Sequence, residues 1–174
     1  MNYKNTYIIS LGSNQGDSLA ILRGAAQALG EQEGLHILQK SSFYRTAPWG
    51  KTDQPDFLNA VMEVTWDDTP EALLTCLLNI EHEFGRKREV HWGPRTLDLD
   101  LIYGGTVTRD SEFLRLPHPY FWERSFVLVP LEEILPDFLF QGVPIHQRLV
   151  ELDGYKEVKK TEDSWEGNAS CQKK

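Results

Sequence analysis

Residues 93–103 read Gly-Pro-Arg-Thr-Leu-Asp-Leu-Asp-Leu-Ile-Tyr, with acidic and aliphatic positions alternating one for one after Thr96. A repeat of two is the side-chain period of a β-strand, so Asp98 and Asp100 fall on one face and Leu97, Leu99 and Leu101 on the other. Upstream, residues 7–11 (Tyr-Ile-Ile-Ser-Leu) form a first predicted strand that ends at Gly12-Ser13-Asn14. Asp17 or Ser18 can cap a helix running to about Leu29, with Gly30 as its stop. Residues 36–44 are a second extended segment, residues 46–56 a polar, Pro-containing loop, and residues 57–66 a third strand. Thr69 is a good N-cap, Pro70 suits the first helical position, and Glu71 complements the helix dipole; Leu73, Leu74, Leu77, Leu78 and Ile80 then give an apolar face up to Gly85. Strand, helix, strand, strand, helix, strand is the order of a split βαβ unit. The predicted fold is therefore α+β and ferredoxin-like: an antiparallel sheet with helices on one face and the other face free for ligands. Asp98 and Asp100 belong on the free face.

Beyond the acidic strand, Gly104-Gly105 reads as a turn, residues 123–134 as a helix interrupted or ended near Pro130, and residues 145–152 as a short helix. Residues 1–155 are expected to form a single catalytic domain. Residues 156–174 are charged and poor in aliphatics, with Trp165 as their one large apolar residue, and are expected to be a disordered polar tail.

Composition narrows the functional classes. At 174 residues and 40% hydrophobic content the chain can bury one substantial core. Eighteen basic against twenty-six acidic residues give a net charge of −8, which argues against general attraction to nucleic acid or to an anionic membrane. Cys76 and Cys171 have neither disulfide-framework nor zinc-site spacing and read as reduced thiols. No signal-peptide pattern and no membrane-length apolar run occur, so a cytoplasmic protein is expected.

Two carboxylates side by side on a strand repel each other and resist burial, and a cation relieves both costs. Mg²⁺ suits them, because it takes one or two carboxylates and completes its shell with water and phosphate oxygens. Alone, Asp-x-Asp is an ordinary solvated strand face. Here it follows Arg95 and a basic stretch, residues 85–92 (Gly-Arg-Lys-Arg-Glu-Val-His-Trp), within an acidic protein. No Gly-x-x-x-x-Gly-Lys-Ser/Thr loop is present, which excludes an ordinary P-loop kinase.

The block Trp92-Gly93-Pro94-Arg95-Thr96-Leu97-Asp98-Leu99-Asp100-Leu101-Ile102 resembles the signature of the 6-hydroxymethyl-7,8-dihydropterin pyrophosphokinase family of folate biosynthesis. The similarity continues through Leu11-Gly12-Ser13-Asn14, Ser42-Phe43-Tyr44-Arg45-Thr46, Gln54-Pro55-Asp56-Phe57-Leu58-Asn59-Ala60, Pro117-His118 and Arg124-Ser125-Phe126, covering residues 6–150. The resemblance implies transfer of the β,γ-pyrophosphoryl group of ATP to the pterin hydroxymethyl oxygen, with AMP released, on a ferredoxin-like fold with two Mg²⁺. It implies that Asp98 and Asp100 hold both metals. It further implies that Arg86, Arg88, Trp92, Arg95, His118 and Arg124 contact ATP, Arg86 and Arg95 as catalytic groups, while Glu81 and Leu101 line the nucleotide side. Phe57 and Phe126 would sandwich the pterin, Asn59 would read its hydrogen-bonding edge, and Thr46, Ala47 and Trp49 would border it. The implied partners are the two small substrates, with no nucleic acid or membrane, and the chain is expected to be a monomer. His91 stands where the family often has Arg or Lys, Leu78 where several members carry a polar residue, and the basic loop is short.

That chemistry agrees with the residues themselves. Phosphoryl transfer is mostly positioning and charge neutralisation, and arginine forks bind phosphate oxygens bidentately. Taken one at a time, the residues have plainer readings: a charge run at a helix C-terminus for Arg86, Lys87 and Arg88, core packing for Phe57 and Phe126, a loop residue for His118. Asn59 is more telling, because an amide among apolar strand residues needs partners. Two other classes also fit the acid pair, a metal-dependent nucleotidyltransferase or phosphohydrolase and a ligand-sensing ferredoxin-like module. Product identity separates all three.

Overall fold

The structure, a computed structural model, describes residues 5–47, 55–85 and 96–166. It begins with strand β1 (Asn5–Ser13), helix α1 (Ser18–Gly30), strands β2 (Leu35–Lys40), β3 (Tyr44–Thr46) and β4 (Phe57–Trp66), helix α2 (Pro70–Glu83) and strand β5 (Asp98–Tyr103). The predicted caps operate: Asp17 Oδ1 accepts the Ala20 N–H at 3.2 Å and Thr69 Oγ1 accepts the Ala72 N–H at 3.1 Å, satisfying donors that the first helical turn leaves open.

β4 pairs antiparallel with β1, and β1 with β5. Along its other edge β4 meets β2, Leu35 opposite Trp66, and then β3, Tyr44 opposite Asn59. The single second strand read from the sequence is thus two pieces. Counting them as one, the spatial order of the four strands is fourth, first, third, second, the split-βαβ arrangement. Tyr7, Ile9, Leu11, Leu58, Ala60, Met62, Val64, Leu97, Leu99 and Leu101 point to one face and bury against α1 and α2. Each enters at alternate strand positions, as the pleat requires.

The opposite face is partly covered as well. After the paired segments β6 (Arg109–Asp110) and β7 (Arg115–Leu116) and a 3-10 turn (Phe121–Glu123) comes α3 (Ser125–Ile134); β8 (Leu139–Phe140), β9 (Val143–Pro144) and α4 (Ile145–Leu152) follow. Ile8, Tyr44, Val61 and Ile102 on the sheet pack with Val127, Leu128, Leu131, Ile145 and Leu149. These apolar side chains demand a cover, while Asp98 and Asp100 on the same face keep partial exposure. α3 runs through Pro130, where the sequence suggested an interruption. The missing N–H costs one helical bond, to the Phe126 carbonyl in the first turn, and the proline ring is buried in exchange.

The segment after residue 155 is ordered at least to residue 166, contrary to the expected disordered tail. A 3-10 turn (Gly154–Lys156) leads to β10 (Val158–Lys160), which pairs antiparallel with β3. Val158 is buried and the Trp165 ring covers fully buried Phe43 at 4.2 Å. Without this strap β3 would present an unpaired edge and Phe43 would meet water. No helix among the described residues is long and apolar enough to cross a membrane.

Gly104 closes β5 against Tyr7. A Cβ there would lie 2.7 Å from Tyr7 Cε1 and 3.2 Å from Leu116 Cδ2, and Tyr7 is fully buried. Gly104→Ala is expected to lower stability by about 1–3 kcal/mol, read as a drop in the urea midpoint at unchanged slope; an unshifted midpoint would show that the Tyr7 packing yields freely.

Candidate functional site

The sheet register brings together residues far apart in sequence. Gly12 lies opposite Asn59 on β4 and opposite Asp98 on β5, and Ser10 lies opposite Val61 and Asp100. Tyr44, Asn59, Gly12 and Asp98 therefore form one row across four strands, on the face away from α1 and α2. Asp98 and Asp100 are half-exposed while Leu99 and Leu101 between and beyond them are buried, which confirms the alternation. Two residues apart on a strand, their Cα atoms are separated by about 7 Å. Among the described residues no three His, Cys, Asp or Glu side chains form a metal cage.

Asn59 is buried, and its Nδ2 donates to Thr46 Oγ1 at 3.1 Å. That bond fixes the orientation of the amide. Gly12 makes room for it: a Cβ on Gly12 would stand 3.0 Å from Asn59 Oδ1. Gly12 and Ser10 are further residues of this face, and a glycine inside an apolar strand is the signal by which a close approach can be found. Phe57, half-buried, opens β4 two positions from Asn59 on the same face, and exposed Ala47 follows Thr46.

His118, Arg124 and Phe126 form a second group. The His118 N–H donates to the Ile102 carbonyl at 2.8 Å, tying this loop to β5. His118 Nδ1 accepts the Tyr120 N–H at 3.2 Å, so the neutral ring carries its proton on Nε2. Burial, and secondarily the Arg124 charge, lower the His118 pKa to about 4. The Arg124 guanidinium lies 5.9 Å from the Tyr120 ring centroid and 5.8 Å from that of Phe126, which holds a cation at the start of α3.

Two residues read as nucleotide contacts have other first duties. Glu81 is buried on α2 and accepts the Leu99 N–H at 2.7 Å, satisfying a donor on the outer edge of β5. The Leu101 side chain is buried in the helix-side core, so what it offers a ligand is its backbone. Arg86, Arg88, Trp92, Arg95 and Trp49 lie outside the described residues. Two open clefts, one lined by Asn5, Thr69, Thr106 and Arg109 and one by Asn14, Asp17, Arg45 and Asp56, contain none of the predicted site residues.

The profile of the 7,8-dihydro-6-hydroxymethylpterin-pyrophosphokinase family matches residues 8–136. The chain belongs to that family. It is 46% identical over 146 residues to the 2-amino-4-hydroxy-6-hydroxymethyldihydropteridine pyrophosphokinase of Methylorubrum extorquens, covering 83% of this chain and 92% of that protein. Its identity to the Bacillus subtilis protein of the same name is 44% over 130 residues, 75% of this chain and 78% of that one. A crystal structure of a Plasmodium falciparum HPPK-DHPS triple mutant superposes with a TM-score of 0.68 over 91% of this chain at 16% identity, which is a likeness of fold. The chain spans about half of that longer protein, 48% of its length.

The His118 environment makes a sharp prediction. Between about pH 4 and the ordinary value of 6.5 the unfolded chain carries a proton at this residue that the folded one lacks, so its contribution to stability rises with pH across that window. In the ligand-free protein the His118 Cε1–H resonance should stay flat from pH 8 to 5 and move only near pH 4; a midpoint between 6 and 7 would contradict the burial argument.

Proposed function

We propose that the polar part of the second sheet face is where ATP and 6-hydroxymethyl-7,8-dihydropterin meet. The reaction is that of the family, an ATP-dependent transfer of the pyrophosphoryl group to the pterin hydroxymethyl oxygen with AMP as the leaving group, a step of folate biosynthesis. What carries the site assignment is the row in which Asn59 and Asp98 flank Gly12 on either side. Two strand spacings separate them by about 10 Å, the scale of a bicyclic ring with its hydroxymethyl arm. The amide would read the far edge of the ring while the arm reaches the acid pair.

In this reading Phe57 and Phe126 provide apolar walls, and Asn59, held by Thr46, supplies specificity, with Ala47 and Trp49 at the border. Asp98 and Asp100 present hard oxygen donors on a half-exposed surface, a set that fits Mg²⁺, and two such ions are proposed. Bound there, Mg²⁺ would supply charge neutralisation along the triphosphate. Arg124 adds a fixed cation, and neutral His118 offers an Nε2–H donor in place of a charge. Leu101 contributes backbone groups at the sheet edge that Glu81 steadies through Leu99. Arg86, Arg88, Trp92 and Arg95 are proposed as further ATP contacts, with Arg86 and Arg95 neutralising the transferred group. Cys76, a free thiol, suits a reducing cytoplasm, where we place a monomeric enzyme.

Phosphorus NMR of protein, Mg²⁺, ATP and the reduced pterin tests the reaction. AMP and a pyrophosphorylated pterin are expected; release of free pyrophosphate or phosphate would indicate a nucleotidyltransferase or phosphohydrolase, and inertness a binding module. Asp98→Asn and Asp100→Asn should each lower turnover by about 100-fold or more while thermal unfolding stays cooperative. Near-normal Mg²⁺-dependent turnover in either variant would remove that carboxylate from the metal site. Asn59→Ala should weaken pterin binding about tenfold, the effect of unpairing one buried polar edge, and leave nucleotide affinity unchanged by calorimetric titration. Equal losses for both ligands would place the pterin elsewhere.

A further inference from the structure

β3 has three residues, Tyr44 to Thr46, yet it contributes Tyr44 to the row shared with Asn59 and Asp98 and Thr46 to the bond that aims the Asn59 amide. So short a strand does not hold its own position, and the chain breaks immediately before it, at residues 41–43. The break is pinned to β4 by Ser41, whose N–H donates to the Val61 carbonyl at 2.8 Å and whose Oγ accepts the Val61 N–H at 2.9 Å. Phe43 is buried in the helix-side core, and further contacts come from much later in the sequence.

On the face shared with the site, the Glu133 carboxylate near the end of α3 accepts the Ser42 N–H at 2.8 Å, the Ser42 hydroxyl at 2.7 Å and the Tyr44 hydroxyl at 2.7 Å. Three donors converge on one side chain, and together they hold its pKa below the ordinary carboxylate value although burial acts the other way. On the opposite face Trp165 lays its ring 4.2 Å from that of Phe43 and donates its indole N–H to the Ser41 carbonyl at 2.7 Å. The Thr161 N–H and hydroxyl both donate to the Phe43 carbonyl, at 2.9 and 3.1 Å, and the Lys40 ammonium sits 5.0 Å from the Trp165 ring centroid. The family profile ends at residue 136, so Trp165 lies beyond it.

We infer that Glu133 and Trp165 are positioning residues for the pterin half of the reaction, clamping residues 41–43 from opposite faces and thereby setting where Thr46 and the Asn59 amide stand. The inference rests on the reading of Asn59 and Thr46 as pterin contacts. The contacts of Glu133 and Trp165 given above all fall on residues 40–44, so the nucleotide half should be indifferent to both.

The test is steady-state kinetics on the full-length chain, with both substrates varied, for Glu133→Ala, Glu133→Gln, Trp165→Ala and Trp165→Phe, with Asn59→Ala as reference. Glu133→Ala and Trp165→Ala are expected to raise KM for the dihydropterin about fivefold to tenfold, with kcat and KM for ATP within about twofold. Glu133→Gln, which keeps an acceptor, and Trp165→Phe, which keeps the ring over Phe43, should fall between these and the unaltered enzyme. The milder pair carries the test if either alanine variant fails to unfold cooperatively. A parallel fall in kcat/KM for both substrates, or unchanged kinetics, while Asn59→Ala still raises the pterin KM, would overturn the clamp and leave the pterin assignment standing. An unmoved pterin KM in Asn59→Ala would overturn that assignment and the clamp with it.

Discussion

The backbone ladder that runs through Gly12 is the constraint on which this molecule depends. β1 is hydrogen-bonded on both sides, and at Gly12 its neighbours are Asn59 and Asp98. A strand face repeats every two residues, so slipping either pairing by one position would send the acids or the amide into the helix-side core and bring leucines to the site. That slip is forbidden by Tyr7, Ile9 and Leu11 on β1, by the even-numbered residues of β4 from Leu58 to Trp66, and by Leu97, Leu99 and Leu101, all buried on the α1 and α2 side. The core therefore does the chemical alignment indirectly: burying one face fixes what the other presents.

The second face divides into a packed part and a chemical part. Ile8, Val61 and Ile102 draw α3 and α4 onto it, and this docking delivers Arg124 and Phe126 from the start of α3 and Glu133 from its far end. A ring cluster of Tyr103, Phe121, Trp122, Phe138 and Phe140, with centroids 4.9 to 6.2 Å apart for the contacts Phe140 makes, anchors the segment between β5 and α3. The His118 bond to Ile102 starts from that anchored segment. One helix thus links the aromatic wall of the proposed pocket to the break before β3.

Much of this was legible in the sequence. The Asp98/Asp100 strand, both capped helices and α4 follow from period and capping chemistry that act within a few residues. The family motifs carried the candidate site, and Asp98, Asp100, Asn59, Thr46 and Phe57 do share a face. What the sequence hid depends on contacts between distant segments. Pro130 is tolerated because α3 is held by packing and loses a single bond. Residues 156–166 look polar and solvated until β3's open edge and the Phe43 ring are known. Leu101 and Glu81, read as lining the nucleotide side, also serve the fold: the first side chain is buried in the core and the second accepts the Leu99 N–H. Glu133 had no signal at all, because its three donors lie about ninety residues upstream.

The acid pair and the Asn59 amide share one face, about 10 Å apart, a separation a single substrate can bridge. Paramagnetic relaxation by Mn²⁺, titrated with a non-hydrolysable ATP analogue into isotope-labelled protein, measures this directly. The predicted result is strongest broadening at Asp98, Asp100, Ser10 and Gly12, weaker but distinct broadening of the Asn59 side-chain amide, and loss of the effect in Asp98→Asn. Broadening centred on Asn14, Asp17 and Asp56, with the Asn59 amide untouched, would contradict it.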